Sequence, residues 1–192
     1  MSIALVNPDG SALECVAVAL GWDASDLDLV VPVDGALEPG VRVDLNVAAL
    51  LFSADQLVDA VYYGQLSSRD GSVRHTGDNL TGEGAGDNEV IVLDLARLAP
   101  EVTSVIVVIT SYSGQSFANI ANAYCRLLDA GTDTEIHRYL LSGGPHTALV
   151  MGRFERFPVV WAYEGIGVGI PALHAAEAVP YVLQYLHSQA AQ

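Results

Sequence analysis

The sequence predicts a mainly β chain: an antiparallel β-sandwich of two sheets with short helical turns and a helical C-terminal tail. Three observations lead there. The apolar segments are mostly short, rich in β-branched residues and bounded by Gly, Pro, Asn or Asp, which is how strands are punctuated. The run Val41-Arg42-Val43-Asp44-Leu45-Asn46-Val47 alternates strictly, with Val and Leu on one face and Arg, Asp and Asn on the other. Eleven such segments recur with regular turn signals and little helical pattern between them, as in an all-β sandwich.

In chain order the expected strands are residues 3–6, 13–20, 27–31, 41–51, 57–63, 90–93, 104–110, 121–128, 135–141, 147–154 and 159–163. Val105-Ile106-Val107-Val108-Ile109 is apolar on both faces and reads as a central strand. Helical turns are expected at 94–98 and 117–120. The tail changes character. Pro171 suits the first position of a helix continuing through Ala172 to Val179, Pro180 should kink or stop it, and Tyr181 to His187 resume it. No linker, low-complexity tract or fixed repeat is visible, so the expected organisation is a sandwich over 1–170 and a helical tail over 171–192.

Composition narrows the function. The chain has 192 residues, 51% of them hydrophobic and 16% charged, which suits a folded domain with a sizeable core. Its net charge of −15 argues against nucleic acid, whose binding needs Lys and Arg to displace counterions. The same charge opposes direct contact with anionic lipid unless a cation bridges the two. No signal peptide or transmembrane segment is read from the sequence; the apolar run 12–20 is short and broken by Glu14. Cys15 and Cys125 sit in apolar runs and read as buried free thiols.

The densest chemistry lies in residues 75–89, HTGDNLTGEGAGDNE. Four Gly alternate with Asp78, Asn79, Thr81, Glu83, Asp87, Asn88 and Glu89, and the stretch holds no Lys or Arg. Four carboxylates this close repel one another unless something positive sits among them. Ca²⁺ takes six to eight oxygens in loose geometry, and glycines let a backbone turn its carbonyls inward. Asp78, Glu83, Asp87 and Glu89 are the candidate carboxylate ligands. Asn79, Thr81, Gly82 and Asn88 could add amide, hydroxyl or carbonyl oxygens, and Asp44 and Asp23 could join from neighbouring strands or loops.

Asp78 and Glu89 have the twelve-residue span of an EF-hand, but Leu80, Gly82 and Glu83 occupy its third, fifth and sixth positions, so it is not one. Gly and Asp also dominate ordinary turns, and composition alone leaves a bound ion and a solvated hairpin loop equally open. Gly82-Glu83-Gly84-Ala85-Gly86 lacks the Lys and Ser/Thr of a phosphate loop. Gly165-Ile166-Gly167-Val168-Gly169 lacks the following βαβ unit of a dinucleotide site and is expected to end a strand and allow close packing. No GxSxG nucleophile occurs. His75, His137, His146, His174 and His187 are scattered, and His75 beside the loop reads as a structural or surface residue before a ligand. Trp22 and Trp161 read as core, with Trp22 able to wall the ion site.

Set beside Gly21-Trp22-Asp23, this loop resembles the TerD family of tellurium-resistance and bacterial stress proteins. The likeness runs through Asp70-Gly71-Ser72-Val73, the loop from His75 to Gly84, Gly86-Asp87-Asn88-Glu89-Val90-Ile91, Gly114-Gln115-Ser116-Phe117 and Asn122-Ala123-Tyr124-Cys125-Arg126-Leu127. It covers roughly residues 1–170 in order. The resemblance implies a two-sheet sandwich that binds Ca²⁺, usually at two neighbouring sites. It also implies a cytoplasmic protein without catalytic activity that works with protein partners in a stress-response complex, with peripheral membrane association conceivable.

One segment departs from the family. Its DFDLD strand corresponds here to Arg42-Val43-Asp44-Leu45-Asn46, where only Asp44 keeps a carboxylate, and the segment before it is longer and carries Asp26 and Asp28. The expectation is one Ca²⁺ site retained and a second weakened or lost, with Arg42 reaching the loop through a salt bridge. The alternatives are a metal-free interaction module of the same fold and a metal-dependent hydrolase. The hydrolase would need an open coordination position and a general base that nothing in the sequence marks.

Overall fold

The computed structural model describes residues 2–23, 31–33, 36–38, 43–84, 86–141 and 144–187. Thirteen strands appear among them: β1 (Ser2–Ala4), β2 (Cys15–Gly21), β3 (Val31–Val33), β4 (Ala36–Glu38), β5 (Leu45–Ser53), β6 (Gln56–Val61), β7 (Val73–His75), β8 (Glu89–Asp94), β9 (Ser104–Ser111), β10 (Tyr124–Asp129), β11 (Thr134–Leu140), β12 (Ala148–Arg156) and β13 (Trp161–Ile170). A six-stranded sheet in the order β1-β13-β12-β9-β5-β6 packs on a five-stranded sheet in the order β11-β10-β2-β8-β7. Every pairing is antiparallel, and β3 and β4 form a separate hairpin. The expected mainly β, two-sheet sandwich is the observed architecture.

Side-chain alternation sorts the core. Leu45, Val47, Ala49 and Leu51 of β5 point between the sheets with Val105, Val107 and Ile109 of β9, and meet Val16, Val18 and Leu20 of β2 and Ile91 and Leu93 of β8. The other faces of β5 and β9 are also apolar, through Ala48, Leu50, Phe52, Ile106 and Val108, because the C-terminal tail covers them with Ala172, Ala175, Ala178, Val182 and Leu186. That second layer is why β9 reads as apolar on both faces. Burial of this kind stabilises by roughly 25 cal/mol per Å² of apolar surface removed from water.

The tail differs from expectation in detail. Its helix α1 spans Ala175–Val182, starting four residues after Pro171, because His174 caps it: the His174 Nδ1 accepts from the Ala176 amide at 3.0 Å. The Glu177 carboxylate reaches back to the Leu173 amide at 2.8 Å, a reciprocal cap. Pro180 lies inside the helix. It removes one i→i−4 bond, to the carbonyl of Ala176, and Ala176 is exposed, which lowers the cost of the lost donor. A 3₁₀ turn, Leu183–Tyr185, follows, and the Tyr185 carbonyl accepts from the buried Arg153 guanidinium at 2.8 Å. Arg153 also pairs with Glu155 at 2.8 Å and Glu164 at 3.2 Å, which fastens the tail to β12 and β13.

Other departures are local. The glycine run 165–169 does not end its strand; β13 continues to Ile170, and the missing side chains let Tyr139 lie over Gly165 and Gly167 and His146 over Gly169. Phe117–Asn119 is the expected helical turn, in 3₁₀ form, whereas 94–98 is only a hydrogen-bonded turn. Cys125 is buried, which pushes its thiol pKa up, and its thiol donates to Met151 Sδ at 3.2 Å; Cys15 is half-buried rather than buried, and both are free. Trp22 and Trp161 are core residues as expected. The expected strand 27–31 falls outside the described residues except for Val31, as do Asp26, Asp28, Arg42 and any salt bridge from Arg42.

Strand β7 was not foreseen, being three residues long. It is fixed by the turn before it. Asp70 Oδ1 accepts from the hydroxyls of Ser68 and Ser72, each at 2.6 Å, and from the Ser72 amide at 2.9 Å; Oδ2 accepts from the Ala99 amide at 3.2 Å. Partial burial opposes ionisation of Asp70, but these four donors outweigh it and hold the carboxyl at about 2. An unfolded Asp titrates near ~3.9. The stability contributed by Asp70 is therefore fully present above about pH 4 and is lost as pH falls toward 2. Replacing Asp70 by Asn should lower stability at neutral pH by roughly 1 kcal/mol, a modest value because the residue is exposed. It should also flatten the acid limb of a stability–pH profile measured by urea unfolding.

Candidate metal site

The acidic loop enters at one end of the sandwich, where β6 stops short. Strand β5 pairs with β6 only from Ala49, opposite Val61. The Asp44 carbonyl accepts from the Tyr112 amide beyond β9, so even-numbered residues of β5 turn their backbone groups to β9 and odd-numbered ones toward β6. Val47 lies past the end of β6, and its amide has no strand to donate to. Glu89, at the start of β8 in the opposite sheet, supplies the acceptor: its Oε2 receives the Val47 amide at 2.9 Å. The same oxygen lies 3.2 Å from His75 Nε2, and Oε1 accepts from the Asn79 amide at 3.2 Å. His75 Nδ1 accepts from the Gly77 amide at 3.1 Å. With Nδ1 accepting, Nε2 is the ring nitrogen that donates to Glu89.

Glu89 and His75 are both buried. Desolvation raises the Glu89 pKa, and the donors from His75, Val47 and Asn79 work against it. Among the sequence-predicted ligands, Glu89 is thus the one the structure makes an anchor: one carboxylate joins both sheets, β7 and the loop.

The rest of the loop is shaped by short-range bonds. Asn79 Oδ1 accepts from the amides of Thr81 and Gly82 at 3.1 and 2.9 Å, and Asn79 Nδ2 donates to the Glu83 carbonyl at 3.2 Å. Thr81 Oγ1 accepts from the Glu83 amide at 3.2 Å. Asn88 Oδ1 accepts from the Trp22 amide at 2.9 Å. Gly82 has φ +68 and lies against the Trp22 indole, into which any Cβ would run. Trp22 in turn donates Nε1 to the Val43 carbonyl at 3.1 Å. The side-chain oxygens of Asn79, Thr81 and Asn88 therefore hold the loop in shape, and the Glu83 carboxylate is exposed at its rim.

The carboxylates divide into two groups. On the β5 side, Asp44 is half-buried and Asp78 is exposed. Burial first, and then the nearby Asp78 charge, push the Asp44 carboxyl up to about 6; the Asn46 amide, donating to Asp44 Oδ1 at 2.8 Å, pulls the other way. Asn46 is 3% exposed, and its Oδ1 has no hydrogen-bond partner. On the β10 side, Asp87 accepts from Arg126 Nε at 3.0 Å and Nη2 at 2.6 Å, and from the Tyr124 hydroxyl at 3.0 Å. Asp23 is exposed and accepts from Asn122 Nδ2.

The structure thus brings Asp44, Asp78 and Glu89 into electrostatic contact and separates Asp23 and Asp87 from them. Among the described residues no three His, Cys, Asp or Glu side chains converge as a ready metal cluster. The donors that do meet are all oxygens, and the unpartnered buried Asn46 oxygen is the kind of group that a cation satisfies. Arg126, Tyr124 and Asn122 were not foreseen as site residues. The available signal was Gly21, which faces Tyr124 across the β2–β10 ladder and leaves room for its ring to lie across to Asp87.

Removing the anchor should loosen the whole end of the sandwich. Glu89→Gln presents an amide N–H to donors that need an acceptor, and should lower stability by roughly 2–3 kcal/mol with or without added calcium, measured by denaturant unfolding.

Comparison with known proteins agrees with this architecture. The TerD domain model matches residues 2–175. Tellurium resistance protein TerZ of Serratia marcescens is 35% identical over 164 residues, 84% of this chain and 83% of that protein. Tellurium resistance protein TerD of Alcaligenes sp is 34% identical over 168 residues, covering 82% of each. General stress protein 16U of Bacillus subtilis (strain 168) is 32% identical over 182 residues, 90% of this chain and 89% of that protein. Among solved structures, a homologue of telluride resistance protein (TerD) from Streptomyces coelicolor A3(2) superposes with a TM-score of 0.73 at 22% identity, over 88% of this chain and 96% of that one, which shows the shared fold. These relatives carry the names of resistance and stress proteins and not of enzymes. With the family model spanning most of its length, the chain belongs to the TerD family.

Proposed function

We propose that this chain is a non-catalytic, Ca²⁺-binding stress-response protein of the tellurium-resistance type, with the ion held on the β5 side of the acidic loop. The observation that carries this reading is Asn46 Oδ1, buried and without a partner beside Asp44, whose own carboxylate lies close enough to feel the charge of Asp78 on the loop. Asp44, Asn46 and Asp78 are the side chains that would hold the ion, with loop carbonyls and water completing a set of oxygens. Glu89 fixes the loop against β5 behind them. Oxygen donors on a glycine-rich loop suit Ca²⁺ over Zn²⁺, which prefers His and Cys, and over Mg²⁺, which demands compact octahedral geometry.

An ion here would join β5 to the loop and neutralise part of the acidic charge at that end of the sandwich. Action through a stress-response complex in the cytoplasm belongs to the same proposal; the names of the relatives support its resistance and stress part. Among the described residues no helix is long and apolar enough to cross a membrane.

A ligand that binds only the folded state stabilises it by about 2.7 kcal/mol at one hundred times its dissociation constant. For a chain of this size, that corresponds to a rise of roughly 5–10 °C in melting temperature on adding calcium to chelator-stripped protein. Magnesium should give a smaller rise, and Asp78→Ala should abolish the calcium effect while leaving the chelated protein's melting temperature nearly unchanged. A calcium titration with no heat and no thermal gain at millimolar concentration would instead support the metal-free interaction module.

A further inference from the structure

The Asp87 side of the loop is built differently from the Asp44 side. Its carboxylate is gripped along one edge of the Arg126 guanidinium, Nε to Oδ1 at 3.0 Å and Nη2 to Oδ2 at 2.6 Å, and the Tyr124 hydroxyl donates to Oδ1 at 3.0 Å. Two parallel bonds of this kind are the strongest charge-assisted arrangement that a side chain offers a carboxylate. The grip is supported from behind. Arg126 Nη1 lies 3.5 Å from Glu135, Arg138 pairs with Glu135 at 2.7 Å, and the Arg138 guanidinium sits 4.5 Å over the Tyr124 ring. Tyr124 reaches Asp87 only because Gly21 has no side chain in its path. The chain has eight Arg and no Lys, so a fixed cation at the loop is a scarce resource in a molecule of net charge −15.

We infer that Arg126 is a built-in cation that neutralises the Asp87 side of the acidic loop and keeps metal out of it, so that the chain takes a single exchangeable ion. This rests on the calcium reading above for the Asp44 side, but the masking of Asp87 stands on its own geometry. With Arg126 in place, three of the roughly four lone-pair sites of the Asp87 carboxylate are engaged, and an ion on the remaining Oδ2 site would have to sit beside a positive guanidinium. Without it, Asp87 becomes a free carboxylate beside the glycine-rich turn, with Asp23 across the cleft that Trp22, Gly84, Gly86 and Asn122 line.

The test is calorimetric calcium titration of chelator-stripped wild type, Arg126→Gln, Arg126→Lys and Asp87→Asn, with melting temperatures in chelator and in calcium. The expected result is one ion for wild type and one additional, weaker ion for Arg126→Gln. Arg126→Lys should keep one ion, since it retains the charge. Asp87→Asn should bind calcium as wild type does, within about twofold, while melting lower by the same amount in calcium and in chelator. Asp87→Asn also keeps the inference testable if Arg126→Gln does not fold. An additional ion in Arg126→Gln when wild type binds none would uphold the masking and overturn only the reading of the Asp44 side. Equal stoichiometry in wild type and Arg126→Gln, two ions in wild type, or loss of wild-type calcium binding in Asp87→Asn would each overturn the inference.

Discussion

The end of the sandwich that carries the acidic loop depends on one buried carboxylate. Glu89 starts β8 in one sheet, yet its oxygens receive an amide from β5 in the other, an imidazole proton from β7 and an amide from the loop. The requirement arises from the strand lengths. Because β6 stops opposite Ala49, the Val47 amide would otherwise be buried with no acceptor, at a cost of about 1–3 kcal/mol. A carboxylate meets that need and, having two oxygens, orders the loop and His75 as well. Burial penalises its charge, and the three donors offset that penalty.

From that anchor the loop separates into a closed half and an open half. Toward β10, Asp87 has Arg126 and Tyr124, Asn88 has the Trp22 amide, and Asp23 has Asn122 as partners supplied by the chain. Toward β5, Asp44 and Asp78 repel each other, and Asn46 presents a buried oxygen without a donor. The same acidic sequence is thus neutralised internally on one side and left electrostatically incomplete on the other. Trp22 stands between them, with its indole against Gly82 and its Nε1 on Val43, so both halves share a wall.

Much of this was legible in the sequence, and the failures have physical causes. Period-two alternation placed β5, and the doubly apolar Val105-to-Ile109 run placed β9 at the centre, because burial on two faces leaves no polar position. The helix start was misplaced because Pro171 is only permitted at a first helical position, whereas His174 and Glu177 together form an actual cap. The three-residue β7 has too few residues to show a period and is held by the Asp70 hydrogen bonds. In the site, the loop's oxygen-rich composition was visible, but the roles of its residues were not. Asn79 and Thr81 look like ligands in a list and hold the turn in space, and Asn88 ties the loop to Trp22 at the end of β2. Arg126 is thirty-nine residues from Asp87 and meets it only because β10, β2 and β8 are neighbours in the sheet.

The division also bears on how readily an ion can be taken. A loop of many glycines would lose a large conformational entropy on closing round a cation, since each glycine has more backbone freedom to surrender than any other residue. Here the turn at Asn79, the Trp22–Gly82 contact, the Glu89 anchor and the Arg126 grip fix most of the loop before any ion arrives. What remains to be ordered is the small Asp44–Asn46–Asp78 face. A cation at the proposed site would relieve the repulsion between Asp44 and Asp78, so its binding would gain from both preorganisation and charge neutralisation. On the proposed reading the unsatisfied side of the loop would be the one that responds to an ion, and the satisfied side the frame that keeps the response local.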